Sequence, residues 1–267
     1  MDLGLAGKVA LVTGGSRGIG HAIARELARE GAAVAICGRD ETTSKAAAEK
    51  LSKETGGRVI GFRADTGVGA DVQALVAGTV KELGGLDVLV NNAARMGATG
   101  GSPDNLAQMD EELLLSDFNV KVMGYLRCAR EATPHMEAKG WGRIVNIDGM
   151  ATRNAAGVSG GIRNAAVMNA TKVMSEELGP KGITVNAVHP AVTRTEGLII
   201  RLEAISKRQG ISIEQAEKDL AAGNAIRRIV DAEDIANVVA FLCSEQAGCI
   251  TGEAIGAHGG STKAVYY

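Results

Sequence analysis

The chain has 267 residues, of which 45% are hydrophobic and 22% charged, a composition that fits one well-buried globular domain and leaves too little chain for two of enzyme size. Twenty-nine Lys and Arg stand against 31 Asp and Glu, a formal net charge of −2, so the electrostatic footprint of a nucleic-acid or membrane-surface binder is absent. The longest apolar runs, such as 9–12, are strand-length and fall short of the ~20 residues of a membrane-spanning helix.

In chain order, the pattern predicts strands at 8–13, 33–37, 59–63, 87–91, 143–147, 184–189 and 253–257. Most are almost continuously apolar, as strands covered on both faces must be. Between them, Ala, Leu, Glu and Lys recur at helical spacing over 21–30, 44–55, 68–83, 111–136, 161–178 and 232–243. Alternation of this kind predicts βαβ units, hence an α/β fold with a doubly wound parallel sheet. No linker or low-complexity tract divides the chain, so residues 1–267 are expected to form a single domain. The stretch 197–223 is helically patterned, interrupts the alternation after the sixth strand and would lie over the carboxyl ends of the strands. It reads as a substrate lid, with a plain surface insertion as the alternative.

The N-terminal residues 1–5 carry an acid and no apolar run, so no secretory signal is expected and a cytoplasmic location is the default. Cys37, Cys128, Cys243 and Cys249 lack C-x-x-C spacing and are expected to be free core thiols. The four histidines, His21, His135, His189 and His258, are scattered, and no metal site is predicted.

Directly after the first strand comes Thr13-Gly14-Gly15-Ser16-Arg17-Gly18-Ile19-Gly20. The glycines fall as G-x-x-x-G-x-G between a strand and a helix, the context in which such a loop serves a dinucleotide. Gly14 allows the turn, Gly18 lets backbone approach a pyrophosphate held by helix N–H groups, and Gly20 permits close packing of helix on strand. An acid at the end of the second strand would bind the ribose hydroxyls of NAD. Gly38 stands there instead, followed by Arg39, and Arg39 with Arg17 can meet a 2′-phosphate, so NADP(H) is favoured over NAD(H).

With these residues in place the sequence resembles the short-chain dehydrogenases/reductases, in particular the compact 3-oxoacyl-carrier-protein reductases. The likeness rests on residues 13–20, on Asp65 after the third strand, and on the segments 86–94, 142–147, 182–190 and 250–252. It implies a seven-stranded Rossmann sheet, a nicotinamide cofactor, a small-molecule substrate and a homo-oligomer, dimer or tetramer. Ser16 and Ile19 belong to the cofactor loop by the same likeness. Asp65 should meet the adenine, Asn92 and Ala93 should line the cofactor, and Pro190 and Thr195 should approach its nicotinamide end. The family pattern has Gly where Ala94 and Ala191 stand.

Members of this family reduce a carbonyl by hydride transfer while a Tyr phenol donates the proton, assisted by a Lys four residues later, a Ser and an Asn. Here Ala165-Ala166-Val167 and Thr171-Lys172 fix the register and place Gly160 at the Tyr position and Asn164 at the Lys position. Gly149 stands where the Ser belongs and Lys121 where the Asn belongs. The remaining tyrosines, Tyr125, Tyr266 and Tyr267, have no Lys four residues on. Loss of a positioned general acid costs ~10²–10⁴ in rate, or roughly 3–5.5 kcal/mol, and empties space beside the nicotinamide.

Candidate substitutes are Lys121, Asp148 and Asn164. A buried Lys121 can have its pKa lowered and act as acid or base; reaching solvent, or merely filling the vacated volume, is its alternative. Asp148 can act as a base or pair with Lys121, or be satisfied by local N–H groups. Asn164, with Arg163, can bind the cofactor ribose or a substrate carboxylate. His189 can reach the nicotinamide side, though a core or loop histidine is the plainer reading. Three classes stay open: an NADP-dependent oxidoreductase with non-standard proton chemistry, placed first because loop and lid are kept; a non-redox lyase, hydratase or isomerase; and a silent cofactor-binding pseudoenzyme.

Overall fold

The computed structural model describes residues 1–94, 106, 109–153 and 157–263. Seven strands form one parallel sheet in the order β3-β2-β1-β4-β5-β6-β9. These are β1 (Val9–Thr13), β2 (Ala33–Gly38), β3 (Val59–Arg63), β4 (Val88–Asn91), β5 (Gly142–Ile147), β6 (Ile183–Pro190) and β9 (Ala254–Ala257). Strand order reverses between β1 and β4, which opens a crevice at their carboxyl ends.

Successive strand residues face opposite sides, and this divides the core in two. Ala10, Val12, Val34, Ile36, Val90 and Val145 pack on one face against α1 (Gly18–Arg29) and α9 (Ala232–Leu242). Leu11, Ala35, Leu89 and Ile144 pack on the other against α3 (Gly69–Leu83) and α5 (Gly124–Glu137). Burial of both faces is why the strands read as unbroken apolar runs.

The remaining long elements depart from the sequence expectation in instructive ways. Helix α2 (Glu41–Thr55) starts three residues before the predicted 44, because Asp40 caps it by accepting from the Thr43 N–H at 2.7 Å. The predicted helix 111–136 is not continuous. It is α4 (Glu111–Phe118), a π turn over Asn119–Met123, and then α5. At that turn the Val120 carbonyl accepts from the Thr66 hydroxyl at 3.1 Å, and the Arg127 guanidinium donates to the Asn119 carbonyl at 3.3 Å and to its side chain at 2.9 Å. Side chains inserted into the helical ladder produce such bulges. The consequence is functional geometry, since Lys121 lies in the π turn.

Helix α6 (Val158–Leu178) precedes β6. The insertion 197–223 is two helices, α7 (Glu196–Gln209) and α8 (Ile213–Ala221). They have their own small core of Leu198, Leu202, Ala216, Ala221 and Ile229. A two-stranded parallel ribbon at their root was not expected from the pattern: β7 (Thr193–Arg194) pairs with β8 (Val230–Asp231). Two-residue strands are too short to leave a periodicity. Cys37, Cys128 and Cys243 are buried, whereas Cys249 is exposed and so is no core thiol. Among the described residues no helix is long and apolar enough to cross a membrane.

Candidate active site

The loop after β1 is held from the neighbouring strand end. The Thr13 hydroxyl accepts from the backbone N–H groups of Asn92 and Ala93 at 2.9 and 3.0 Å, and the Asn92 amide donates to the carbonyls of Thr13 and Gly14 at 3.0 and 3.1 Å. Gly14 and Gly18 take φ of +66° and +58°, conformations that disfavour side chains. At Gly20 a Cβ would lie 2.4 Å from both the Gly14 carbonyl oxygen and the Asn92 amide, so this contact requires glycine.

Helix α1 begins behind this loop with no side-chain cap at Arg17 and no acid in its first turn. Its first N–H groups therefore remain available to an anion, which is the donor set a pyrophosphate takes. Ser16 sits half-buried opposite Gly38, where a Cβ would come 2.8 Å from the Ser44 hydroxyl. The strand end that holds an acid in NAD-binding relatives of this fold thus has no room for one without movement of Ser44. Arg17 and Arg39 are both exposed beside it. Ile19 packs partly against the core. Asp65, half-buried after β3, accepts from the Gly67 N–H at 2.8 Å. Pro190 closes β6. Thr195 immediately precedes α7, and its methyl would be 3.6 Å from a Cβ on Gly18, so the start of α7 faces the loop.

At the ends of β5 and β6, four side chains from four segments meet in a buried cluster. Lys121 Nζ donates to Asn164 Oδ1 on α6 at 2.8 Å and lies 3.5 Å from Asp148 Oδ1. Asp148 Oδ2 lies 3.4 Å from His189 Nδ1. The Lys121 side chain is 6% exposed, and those of Asp148 and His189 are fully buried. Lys121 therefore does not reach solvent. Neither Asp148 oxygen and neither His189 nitrogen meets a hydrogen-bond partner of strict geometry, yet the Gly149 backbone acts on both, donating to the carboxylate and accepting from the imidazole, so a local N–H as well as Lys121 supports Asp148.

Burial pulls the Lys121 ammonium below its ordinary range, against the attraction of Asp148. Burial likewise pushes the Asp148 carboxyl up, against the pull of Lys121. His189 falls to about 4 through burial, with Arg153 adding to the effect, and is a neutral imidazole near pH 7.

The two glycines on this side of the cluster, Gly149 and Gly160, differ in the room around them. A Cβ on Gly149 would lie 2.9 Å from the Asn164 amide nitrogen, so Asn164 occupies the volume a Ser would need. At Gly160 a Cβ would meet only the Ala151 methyl, at 3.3 Å. Arg163, expected to face an anionic ligand, is instead 2.7 Å from the buried Asp117 of α4. That partner carried no sequence signal. Tyr125 is buried and donates to the Ile147 carbonyl at 2.9 Å, its phenol raised well above the ordinary value by burial. Tyr266 and Tyr267 lie outside the described residues.

A parallel sheet wound on both sides, with a glycine loop opening α1 at its reversal point, defines a Rossmann-type α/β protein. The family model described as enoyl-(acyl carrier protein) reductase matches residues 14–262. The chain is 35% identical over 254 residues to the short-chain reductase protein NovJ of Streptomyces niveus, spanning 94% of this chain and 93% of that protein. It is 33% identical over 261 residues to the NADPH-dependent reductase BacG of Bacillus subtilis strain 168, spanning 97% and 99%. The L-sorbose reductase of Gluconobacter frateurii, solved in complex with NADPH and L-sorbose, superposes with a TM-score of 0.92 at 31% identity, over 99% of this chain and 100% of that one. The chain belongs to the short-chain dehydrogenase/reductase family. In this chain Lys121 sits in the π turn and Asn164 on α6, hydrogen-bonded to each other at 2.8 Å.

Proposed function

We propose that this chain is an NADP(H)-dependent oxidoreductase acting on a small carbonyl or alcohol, with Lys121 as its proton-handling residue. The observation that carries the reading is the exchanged pair, Lys121 Nζ on Asn164 Oδ1 at 2.8 Å. It keeps an ammonium and a carboxamide at two of the family's reaction-centre positions and supplies them from opposite elements. Strands β1, β4, β5 and β6 are sheet neighbours, so the loop 13–20, Asn92, Asp148 and His189 all emerge at one edge.

On this reading the free N–H groups of α1 hold the pyrophosphate, Arg39 and Arg17 the 2′-phosphate, and Asp65 the adenine. Asn92, Ala93, Pro190 and Thr195 line the nicotinamide half, and α7 with α8 covers the substrate. The bound nicotinamide supplies or accepts a hydride. Lys121 Nζ gives its proton to the substrate oxygen, a transfer favoured by the desolvation that weakens its hold on that proton. Asn164 Oδ1 aims the ammonium, and Asp148 balances its charge. The reading also takes the chain to be a cytoplasmic homo-oligomer, dimer or tetramer; exposed Ile162 and Val173 on α6 and Leu115 on α4 support association.

The test is loss of NADPH absorbance with ketones, ketoses including L-sorbose, quinones and imines, alongside NADPH binding measured by fluorescence. Substrate-dependent oxidation supports the reading, and transformation without net redox change overturns it. A second reading, a cofactor-binding protein without turnover, is favoured by the 6% exposure of the Lys121 side chain. Binding with no conversion across the panel selects it.

A further inference from the structure

The parallel register brings Ile147 opposite Val188, and the Asp148 N–H donates to the Val188 carbonyl at 2.8 Å. The next pair in that register is Asp148 and His189, so their side chains leave the sheet edge on the same side. Both are fully buried and 3.4 Å apart, neither has a hydrogen-bond partner of strict geometry, and the Gly149 backbone lies against both. Buried polar groups are nearly always paired, so two adjacent side chains without such a partner are the natural partners of each other. Lys121 touches the other oxygen of the same carboxylate. The remaining charged or titratable groups acting on this ring and carboxylate are Arg153 from the turn after β5, His258 from beyond β9, the Tyr125 phenol of α5, and Arg163 from α6, itself paired with Asp117 of α4.

We propose that His189 is a positioning residue of the reaction centre: its Nδ1–H orients the Asp148 carboxylate, and through that carboxylate it sets the placement and charge of Lys121. The assignment rests on the proposed role of Lys121 for its catalytic meaning, while the coupling His189–Asp148–Lys121 stands on the packing alone. An imidazole that stays neutral can donate to a carboxylate without adding a charge to the interior. Nδ1 is the atom that faces Asp148, so the proposed contact places the proton there rather than on Nε2.

Two measurements on the full-length protein decide it. In the unaltered chain, long-range nitrogen NMR of isotope-labelled histidine reads the tautomer of His189 directly. The Nδ1–H form is expected, and the Nε2–H form overturns the proposal without any variant. The second reads the side-chain titration of isotope-labelled Lys121 in His189→Phe and His189→Asn. Loss of the donor leaves Asp148 harder to ionise, so in His189→Phe the Lys121 midpoint should fall by about half a unit or more. His189→Asn, whose amide nitrogen can stand near the position of Nδ1, should restore most of it. A folded His189→Phe with an unmoved Lys121 midpoint overturns the proposal. Should NADPH turnover be absent while tautomer and coupling are as expected, the oxidoreductase reading fails and the positioning of Lys121 by His189 does not.

Discussion

Lys121 and Asn164 are joined by a 2.8 Å hydrogen bond that ties the π turn to α6 across the end of β5. Each explains the other. The ammonium needs a neutral oxygen besides the Asp148 carboxylate, and the Asn164 amide nitrogen is thereby turned toward Gly149, where no Cβ stands in its way.

Lys121→Ala should lower any turnover by about tenfold or more while leaving NADPH affinity within a few-fold, because Lys121 is absent from the cradle formed by residues 13–20. Steady-state kinetics with a binding isotherm checks both halves. Unchanged turnover removes Lys121 from the mechanism.

The Lys121 charge also links stability to pH. Its folded-state pKa is lowered from the ordinary 10.5, so over the interval below that value the unfolded chain holds a proton that the folded chain has released. Stability contributed by this group therefore rises with pH through that interval. Denaturant unfolding of the protein against Lys121→Met should show the difference moving in favour of the unsubstituted chain from about pH 7 to about pH 10. A flat or opposite trend contradicts the assignment.

Gly149→Ala should destabilise by about 1–3 kcal/mol, the ordinary cost of overpacking, since its Cβ would fall 2.9 Å from the Asn164 amide. In an Asn164→Ala background the same substitution should cost much less. Chemical unfolding of the four members of that cycle measures the coupling, and additive costs would show that the two sites do not compete for space.

Arg39→Ala should weaken NADPH binding by about tenfold or more and NADH binding little, since a charge-assisted contact to the 2′-phosphate carries ~1.5–3 kcal/mol. Equal losses for the two nucleotides would refute the phosphate assignment.

Gly20→Ala should impair both folding and nucleotide binding, because its Cβ would meet the Gly14 carbonyl oxygen at 2.4 Å, a backbone atom that cannot swing aside. Gly69→Ala, at the start of α3 with open space around its Cβ, should be neutral or slightly stabilising. Comparable melting temperatures for the two variants would argue against the close approach at Gly20.

Sequence alone determined the sheet and its loop. Unbroken apolar strands, the spacing of Gly14, Gly18 and Gly20, and the register fixed by residues 165–167 and 171–172 are local patterns, and backbone conformation and two-faced burial act locally through them. Sequence also carried the expectation that the family's usual side chains are replaced, a reading that needs a register and no coordinates. Only the tertiary structure decided which of the residues at those positions meet, and with what partners. Lys121 lies in a π turn whose carbonyls accept from Thr66, of a distant segment, and from Arg127, two turns on in the next helix. His189 gains a role because parallel strands far apart in the chain set it beside Asp148, and Arg163 loses one because Asp117 takes its charge. Such pairings depend on where separate elements cross, and no spacing along one element encodes that.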